Sequence, residues 1–240
     1  MNFIRRHIFS YLTIVTAISV AVVFCANLYT SAMSVADAAA GPVTVVIDAG
    51  HGGEDGGAVS KDGIQESRLN LEIALRLNDL LHLLGQKTQM IRESDVSVYT
   101  DGANTISEKK VSDLKNRVSI VNSVPNALLV SIHQNMFQEA KYYGTQIFYA
   151  QTADSKALAE SMQALFAKAI DTTNHRSAKP AETVYLMNNI SCTGILIECG
   201  FLSNPEECAR LCTADYQKQL SVAIASGISE YIRGANSNEV

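Results

Sequence analysis

The 240-residue chain has no surplus of positive charge, no C-x-x-C cysteine pair, no G-x-S-x-G elbow and neither of the common glycine-rich phosphate motifs. Each absence closes off a class of function. Setting aside residues 1–40, which hold Arg5, Arg6 and Asp37, leaves 17 basic and 23 acidic side chains, a net charge of −6. Such a chain has no general electrostatic grip on nucleic acid or on an anionic polymer, so recognition must come from a localised site. The missing elbow speaks against a serine nucleophile. Without G-x-G-x-x-G or G-x-x-x-x-G-K-[ST], the glycines after Ala49 are no phosphate cradle, and Glu54 and Asp55 among them would repel an anion. Cys192, Cys199, Cys208 and Cys212 lack zinc-finger spacing and read as free buried thiols. A disulfide is the alternative, and spacing does not choose its pairing. No repeat, low-complexity linker or second compositional regime interrupts the rest, which makes one compact domain the simplest organisation.

What is present begins with a leader. Arg5 and Arg6 precede an uncharged apolar run from Ile8 to Leu28, then small residues ending in Ala38-Ala39-Ala40. The order is that of a secretory signal, although the run is also long enough for an uncleaved membrane anchor. Both readings place Val43 onward outside the cytoplasm, with membrane contact only through the leader. Phe24 stands where a lipoprotein signal ahead of Cys25 would want a small residue.

From Val43 the chain alternates. Val43–Ile47, Thr88–Ile91, Ala127–Ile132, Gly144–Tyr149, Glu182–Met187 and Gly194–Cys199 read as short strands. Helical spacing of apolar residues marks Ser67–Leu84, about Ser112–Val121, a segment capped by Asp154 and running to Ala169, and the stretch ending near Arg233. Glu93–Lys110 reads as a loop. The fold class is therefore α/β, a mostly parallel sheet flanked by helices on both faces, whose site gathers beyond the carboxyl ends of the strands.

Three of those ends carry chemistry. The first strand runs into Asp48-Ala-Gly-His51, Glu66 opens the following helix, and the third strand ends in Ser131-Ile-His133-Gln-Asn135. Two histidines and one carboxylate are the set expected of catalytic zinc, with water in the fourth position. Taken singly, His51 is a loop histidine and Glu66 an acidic residue at a helix start. His82 and His175 read as surface residues. The last strand delivers Glu198 after an apolar run, which suits a general base beside a metal or, alternatively, a carboxylate paired with Arg176.

Taken together, Ile47-Asp-Ala-Gly-His51-Gly-Gly, Glu66, Ser131-Ile-His133-Gln-Asn135 and Ile197-Glu198-Cys-Gly-Phe-Leu-Ser-Asn204 resemble the zinc-dependent N-acetylmuramoyl-L-alanine amidases of the amidase 3 type. Lys110–Arg117 and Tyr143–Tyr149 look most like the germination-specific, spore-cortex members. The resemblance covers Val43 to Arg233, leaving residues 234–240 as a tail. It implies a six-stranded sheet, one Zn2+ per chain held by His51, Glu66 and His133, and Glu198 as catalytic acid/base. It also implies a substrate, the amide between the lactyl group of muramic acid and L-alanine in cortex peptidoglycan. Two features depart from the pattern: Ile190-Ser-Cys-Thr193 lacks a proline, and Cys199 stands beside Glu198. Asn135, Arg176 and Lys179 are candidates for substrate contact, the two cations because stem peptides carry carboxylates. A silent peptidoglycan-binding module and a zinc peptidase of the stem peptide are the competing readings. With no wall-binding module after Arg233 and no plugging helix between His133 and Glu198, control is expected from an accessory envelope protein, secreted or lipid-anchored. Such a protein would dock on an apolar patch and order the loop around Gly50–Gly57.

Overall fold

The computed structural model describes Ser19, Val22 and residues 41–237. The leader, read as signal or anchor, otherwise lies outside the described residues, as does the end of the tail. Among the described residues no helix is long and apolar enough to cross a membrane.

Strands β1 (Thr44–Ala49), β2 (Lys87–Met90), β3 (Ala127–Asn135), β4 (Gln146–Tyr149), β5 (Lys179–Pro180) and β6 (Thr193–Phe201) form one sheet in the order β2-β1-β3-β6-β4-β5. Every neighbouring pair is parallel except β4 with β6. The central strands β1, β3 and β6 are apolar and almost wholly buried, as strands covered on both faces must be. Helices α1 (Glu66–Leu83), α3 (Ser155–Ala169) and α6 (Ala214–Ser237) supply Ile73, Leu77, Met162, Phe166, Leu220 and Ile224 to one face of the sheet, against Ile47, Val130 and Ile197. The other face, with Val46, Leu129 and Leu196, is covered by Val121 of α2 (Ile106–Ser123) and by Leu186 and Met187 of α4 (Tyr185–Asn189). Between β6 and α6, the short helix α5 (Pro205–Leu211) adds Cys208 and Leu211 to the first of these two clusters. This is the expected six-stranded α/β architecture.

Local chemistry sets the boundaries. Gly85, at φ 75°, ends α1 with its N–H on His82 O and that of Gln86 on Leu81 O, a glycine-terminated C-cap. Asn204 caps α5 by accepting from the N–H groups of Glu206 and Glu207, with Pro205 in the first turn where no N–H is missed.

Several expectations need correction. Glu182–Met187 is not a strand: β5 lies earlier, at Lys179–Pro180, and Tyr185–Asn189 is a helix. Leu186 and Met187 are both buried, an adjacent pair that a strand would point to opposite faces and a helix packs on one side. Proline is tolerated in β5 because that strand is the sheet edge. Helix α2 starts at Ile106, inside the stretch read as loop, because Thr105 and Glu108 form a reciprocal capping box. Asp154 stands before α3 but in a left-handed conformation and without a capping bond. The four cysteines are free, but only Cys199 and Cys208 are buried, with Cys212 exposed and Cys192 between.

Candidate metal centre

Register brings the candidate residues together. Asp48 pairs with Ser131 across β1 and β3, and His133 pairs with Glu198 across β3 and β6. Gln146 of β4 faces Glu198 from the other side. His51 reaches the same place from the loop after β1, and Glu66 from the first residue of α1. One donor atom from each of His51, Glu66 and His133 lies within 4.8 Å of the others.

The loop can approach this closely only through glycine. A Cβ on Gly50 would come within 2.2 Å of the His133 ring, and one on Gly57, at φ 66°, within 2.6 Å of Glu66 Oε2. Between them His51 adopts φ 60°, a conformation few non-glycine residues hold without outside support. The support comes from two buried arginines. Arg92 donates to the carbonyls of Ala49 (2.8 Å), Gly50 (3.1 Å) and Ser67 (2.8 Å), while Arg117 donates to those of Ala49 (3.0 Å) and His51 (2.8 Å). Arg117 also pairs with buried Asp48 and with Asp113, and the Ser131 hydroxyl donates to Asp48 at 2.6 Å. Burial would raise the Asp48 carboxyl, but the Arg117 and His133 charges and the Ser131 and Arg117 hydrogen bonds hold it below its ordinary value.

The fork of Arg117 is therefore the joint between sheet and loop. Arg117→Lys keeps the charge but cannot reach Asp48, Asp113 and two carbonyls at once. It is expected to cost about 2 kcal/mol of stability and to weaken zinc binding, measured by urea unfolding and metal titration. Wild-type values in both would remove the joint from the account.

The three donors are also oriented. Asp55 Oδ2 accepts from His51 Nδ1 at 2.9 Å, turning Nε2 toward Glu66 Oε2, 3.4 Å away. Carboxylate support of this kind is what fixes ligand histidines in metal sites. Glu66 Oε1 accepts from Gln134 N (3.1 Å) and Asn70 Nδ2 (3.2 Å), Oε2 from Ala58 N (2.9 Å), and His133 Nδ1 lies 2.9 Å from Oε1. Burial opposes ionisation of Glu66, yet the His133 hydrogen bond and charge, with His51 and the Ala58 N–H, bring its carboxyl down to about 2. Burial likewise opposes charge on His133, yet Glu66, Glu198 and Asp48 push it up to about 9. An environment that favours positive charge so strongly, edged by two histidines, suits a divalent cation: the donor set fits zinc.

Glu198 differs from Glu66. Its Oε2 is shut off from solvent with no hydrogen-bond partner. Burial raises its carboxyl to about 7, with His133 lowering it and Glu66 raising it. It is not paired with Arg176, whose Nε donates to Tyr143 O and whose guanidinium lies over Phe201. Asn135 stands at the end of β3, its side chain accepting from Met136 N. Lys179 is exposed on the edge strand β5, and His82 and His175 are exposed. Burial pushes the Cys199 thiol well above its ordinary range, and Glu198 adds to the shift, which leaves no nucleophilic cysteine at the site.

Sequence reasoning missed Asp48, Asp55, Asn70, Arg92 and Arg117. The signal for Asp48 was present: a carboxylate closing an apolar strand demands a partner, the argument applied only to Glu198.

A mostly parallel sheet that collects two histidines and two buried-to-half-buried carboxylates near its strand ends has the make-up of a hydrolase with a site that could hold a metal ion. Residues 45–230 match the family model of the N-acetylmuramoyl-L-alanine amidases, Amidase_3, and the chain belongs to that family. It is a hydrolase of peptidoglycan. The germination-specific N-acetylmuramoyl-L-alanine amidase of Bacillus subtilis (strain 168) is 37% identical over 78% of this chain and 78% of its own length. The CwlD amidase from Clostridioides difficile, solved in complex with the GerS lipoprotein, is 40% identical with a TM-score of 0.77, covering 79% of this chain and 98% of that one. The amidase AmiC2 of Nostoc punctiforme is 31% identical with a TM-score of 0.70, covering 80% and 98%.

Proposed function

We propose that this amidase is zinc-dependent, with His51, Glu66 and His133 as the metal's ligands and Glu198 as the acid/base, and that it acts on spore-cortex peptidoglycan. The observation that carries the reading is the convergence of three donors from three separate elements within 4.8 Å, with Glu198 beside His133 in register. When bound, zinc supplies the Lewis acidity that polarises the amide carbonyl and acidifies the attacking water. Asp55 fixes the ring orientation of His51, and the Ala58 and Gln134 amides fix Glu66. Glu198 accepts the water's proton and delivers it to the departing alanine nitrogen, a task suited to a carboxyl near neutrality in its protonation. The intact donor set and Glu198 count against a silent binding module. The cortex assignment rests on similarity to the germination-specific relative, and the leader at residues 1–40 is the device that carries the domain at 43–233 out of the cytoplasm.

By similarity to the amidase solved with a lipoprotein, we infer that a lipid-anchored envelope protein is this enzyme's partner. Lys109 and Lys110 of α2 hold Glu54 and Asp55, so a partner touching this loop reaches His51 through Asp55. Partner and zinc then tighten each other's binding, as linkage requires.

Digestion of purified cortex peptidoglycan, with mass spectrometry of the fragments, tests the activity. The expected products are free L-alanine N-termini beside unsubstituted muramic acid, abolished by chelator and restored by zinc. Cuts within the peptide would make the enzyme a peptidase, and chelator-resistant activity would end the zinc assignment.

A further inference from the structure

We propose that Arg176 is a specificity-determining residue that binds the free carboxylate of the stem-peptide residue following L-alanine; the inference rests on the amidase reading above. Its placement comes from the one antiparallel pairing in the sheet. Because β4 runs against β6, the starts of β4 and of its parallel neighbour β5 lie at the end of the sheet where β1, β3 and β6 finish. Arg176 precedes β5 and so stands at that end. Lys179 pairs with Phe148, roughly 10 Å farther along the strand direction. Only one of the two cations is at the site.

Arg176 is also held in one pose. Its Nε donates to Tyr143 O at 3.1 Å, its N–H to Asn174 Oδ1 at 3.0 Å, and its guanidinium carbon lies 5.0 Å from the centre of the buried Phe201 ring. The platform beneath is itself fixed. Phe137 stacks on Phe201 at 5.6 Å, Phe137 N donates to Ser203 Oγ, and Glu207 accepts from both Gly144 N (2.9 Å) and Phe201 N (2.8 Å). Among the described residues no carboxylate forms an ion pair with Arg176. A half-exposed guanidinium with one nitrogen committed, its carbon seated over an aromatic ring and no protein carboxylate paired with it is set up for bidentate capture of a carboxylate from outside.

Substrate chemistry says which one. The L-alanine of the stem is amide-bonded at both ends and has no free carboxylate. The next residue, joined through its side-chain carboxyl, carries the first one, about 7 Å from the scissile nitrogen by chain reach. Glu198 pairs with His133 and Phe201 with Asn135 across a β-bulge, so Phe201 lies two ladder steps, roughly 7 Å, beyond Glu198, and a guanidinium seated over its ring is within reach of that stem carboxylate. Glu66 and Glu198 repel that anion from the centre, so it needs a cation set aside from them.

The test uses two muropeptides whose glutamyl side-chain carboxyl is joined to L-lysine amide, muramoyl-L-alanyl-γ-D-glutamyl-L-lysine amide and its counterpart with the glutamyl α-carboxylate converted to an amide. The wild-type enzyme is expected to favour the free acid in kcat/KM by on the order of tenfold, mainly through KM. Arg176→Gln should bring the ratio of the two substrates close to one, and Arg176→Lys should leave it in between. An equal loss on both substrates in Arg176→Gln would make the residue a structural prop and overturn the proposal. So would a wild-type enzyme that does not distinguish them. Wild-type enzyme that cleaves neither amide bond while retaining its metal would overturn the amidase reading itself, an outcome distinct from loss of preference.

Discussion

Glu198→Gln is expected to lower turnover by about 10²- to 10⁴-fold, the usual contribution of a positioned acid/base, while zinc content and fold stay those of the wild type. The substitution keeps shape and removes only the ability to hold a proton at the right moment. Little else depends on that carboxylate, since Oε2 has no hydrogen-bond partner to lose. Removing it also relieves repulsion with Glu66, which keeps its contacts to Ala58, Gln134 and Asn70. Turnover on purified muropeptides, with metal analysis of the same sample, makes the measurement. Near-normal turnover would dismiss Glu198 as the acid/base, and a loss of zinc would recast it as a ligand.

His133→Ala should give the opposite pattern, with zinc lost as well as activity. Two protein ligands rarely hold zinc in a catalytic geometry, and Gly50 and Glu66 are both packed against this ring. The wild-type protein should gain about 2.7 kcal/mol of stability when free zinc is a hundredfold above its dissociation constant. His133→Ala, and likewise His51→Ala, should gain almost none at the same concentration. Metal analysis after dialysis and thermal unfolding with and without zinc read the two sides of this linkage. Unchanged stoichiometry in both variants would take the two histidines out of the site.

The clustering of His51, Glu66 and His133, and the place of Glu198 beside His133, were legible in the sequence because each residue sits at or near an element end, and element ends can be read from apolar period. Glu198 and Asp48 follow apolar runs of the same kind, yet they have different fates. Asp48 meets Arg117, 69 residues away, and ionises; Glu198 meets no cation of its own and stays near neutrality in its protonation. Sequence distance of that size carries no sign of which arginine will answer. The β5 region failed for a related reason. Val184, Leu186, Met187 and Ile190 satisfy a short strand as readily as one helical turn, and only the face that buries them decides. Arg176 and Lys179 are three residues apart and alike in charge, and what separates them is the direction of β4, a property of the whole sheet.

The position of β6 has a consequence for how the enzyme comes into being. The strand is the last of the six in the chain, yet it lies between β3 and β4 in the sheet. While a chain is being synthesised, β1, β2 and β3 can pair, and the β4–β5 edge can form beside α3, but nothing joins the two halves. Closing that gap is a long-range event, of the kind that is slow because chain entropy is lost before contacts repay it. The same insertion places Glu198 next to His133. With Glu198 as the proposed acid/base, a chain still lacking β6 is expected not to cut, even once His51, Glu66 and His133 have emerged, and activity is expected to arrive with the strand that completes the sheet.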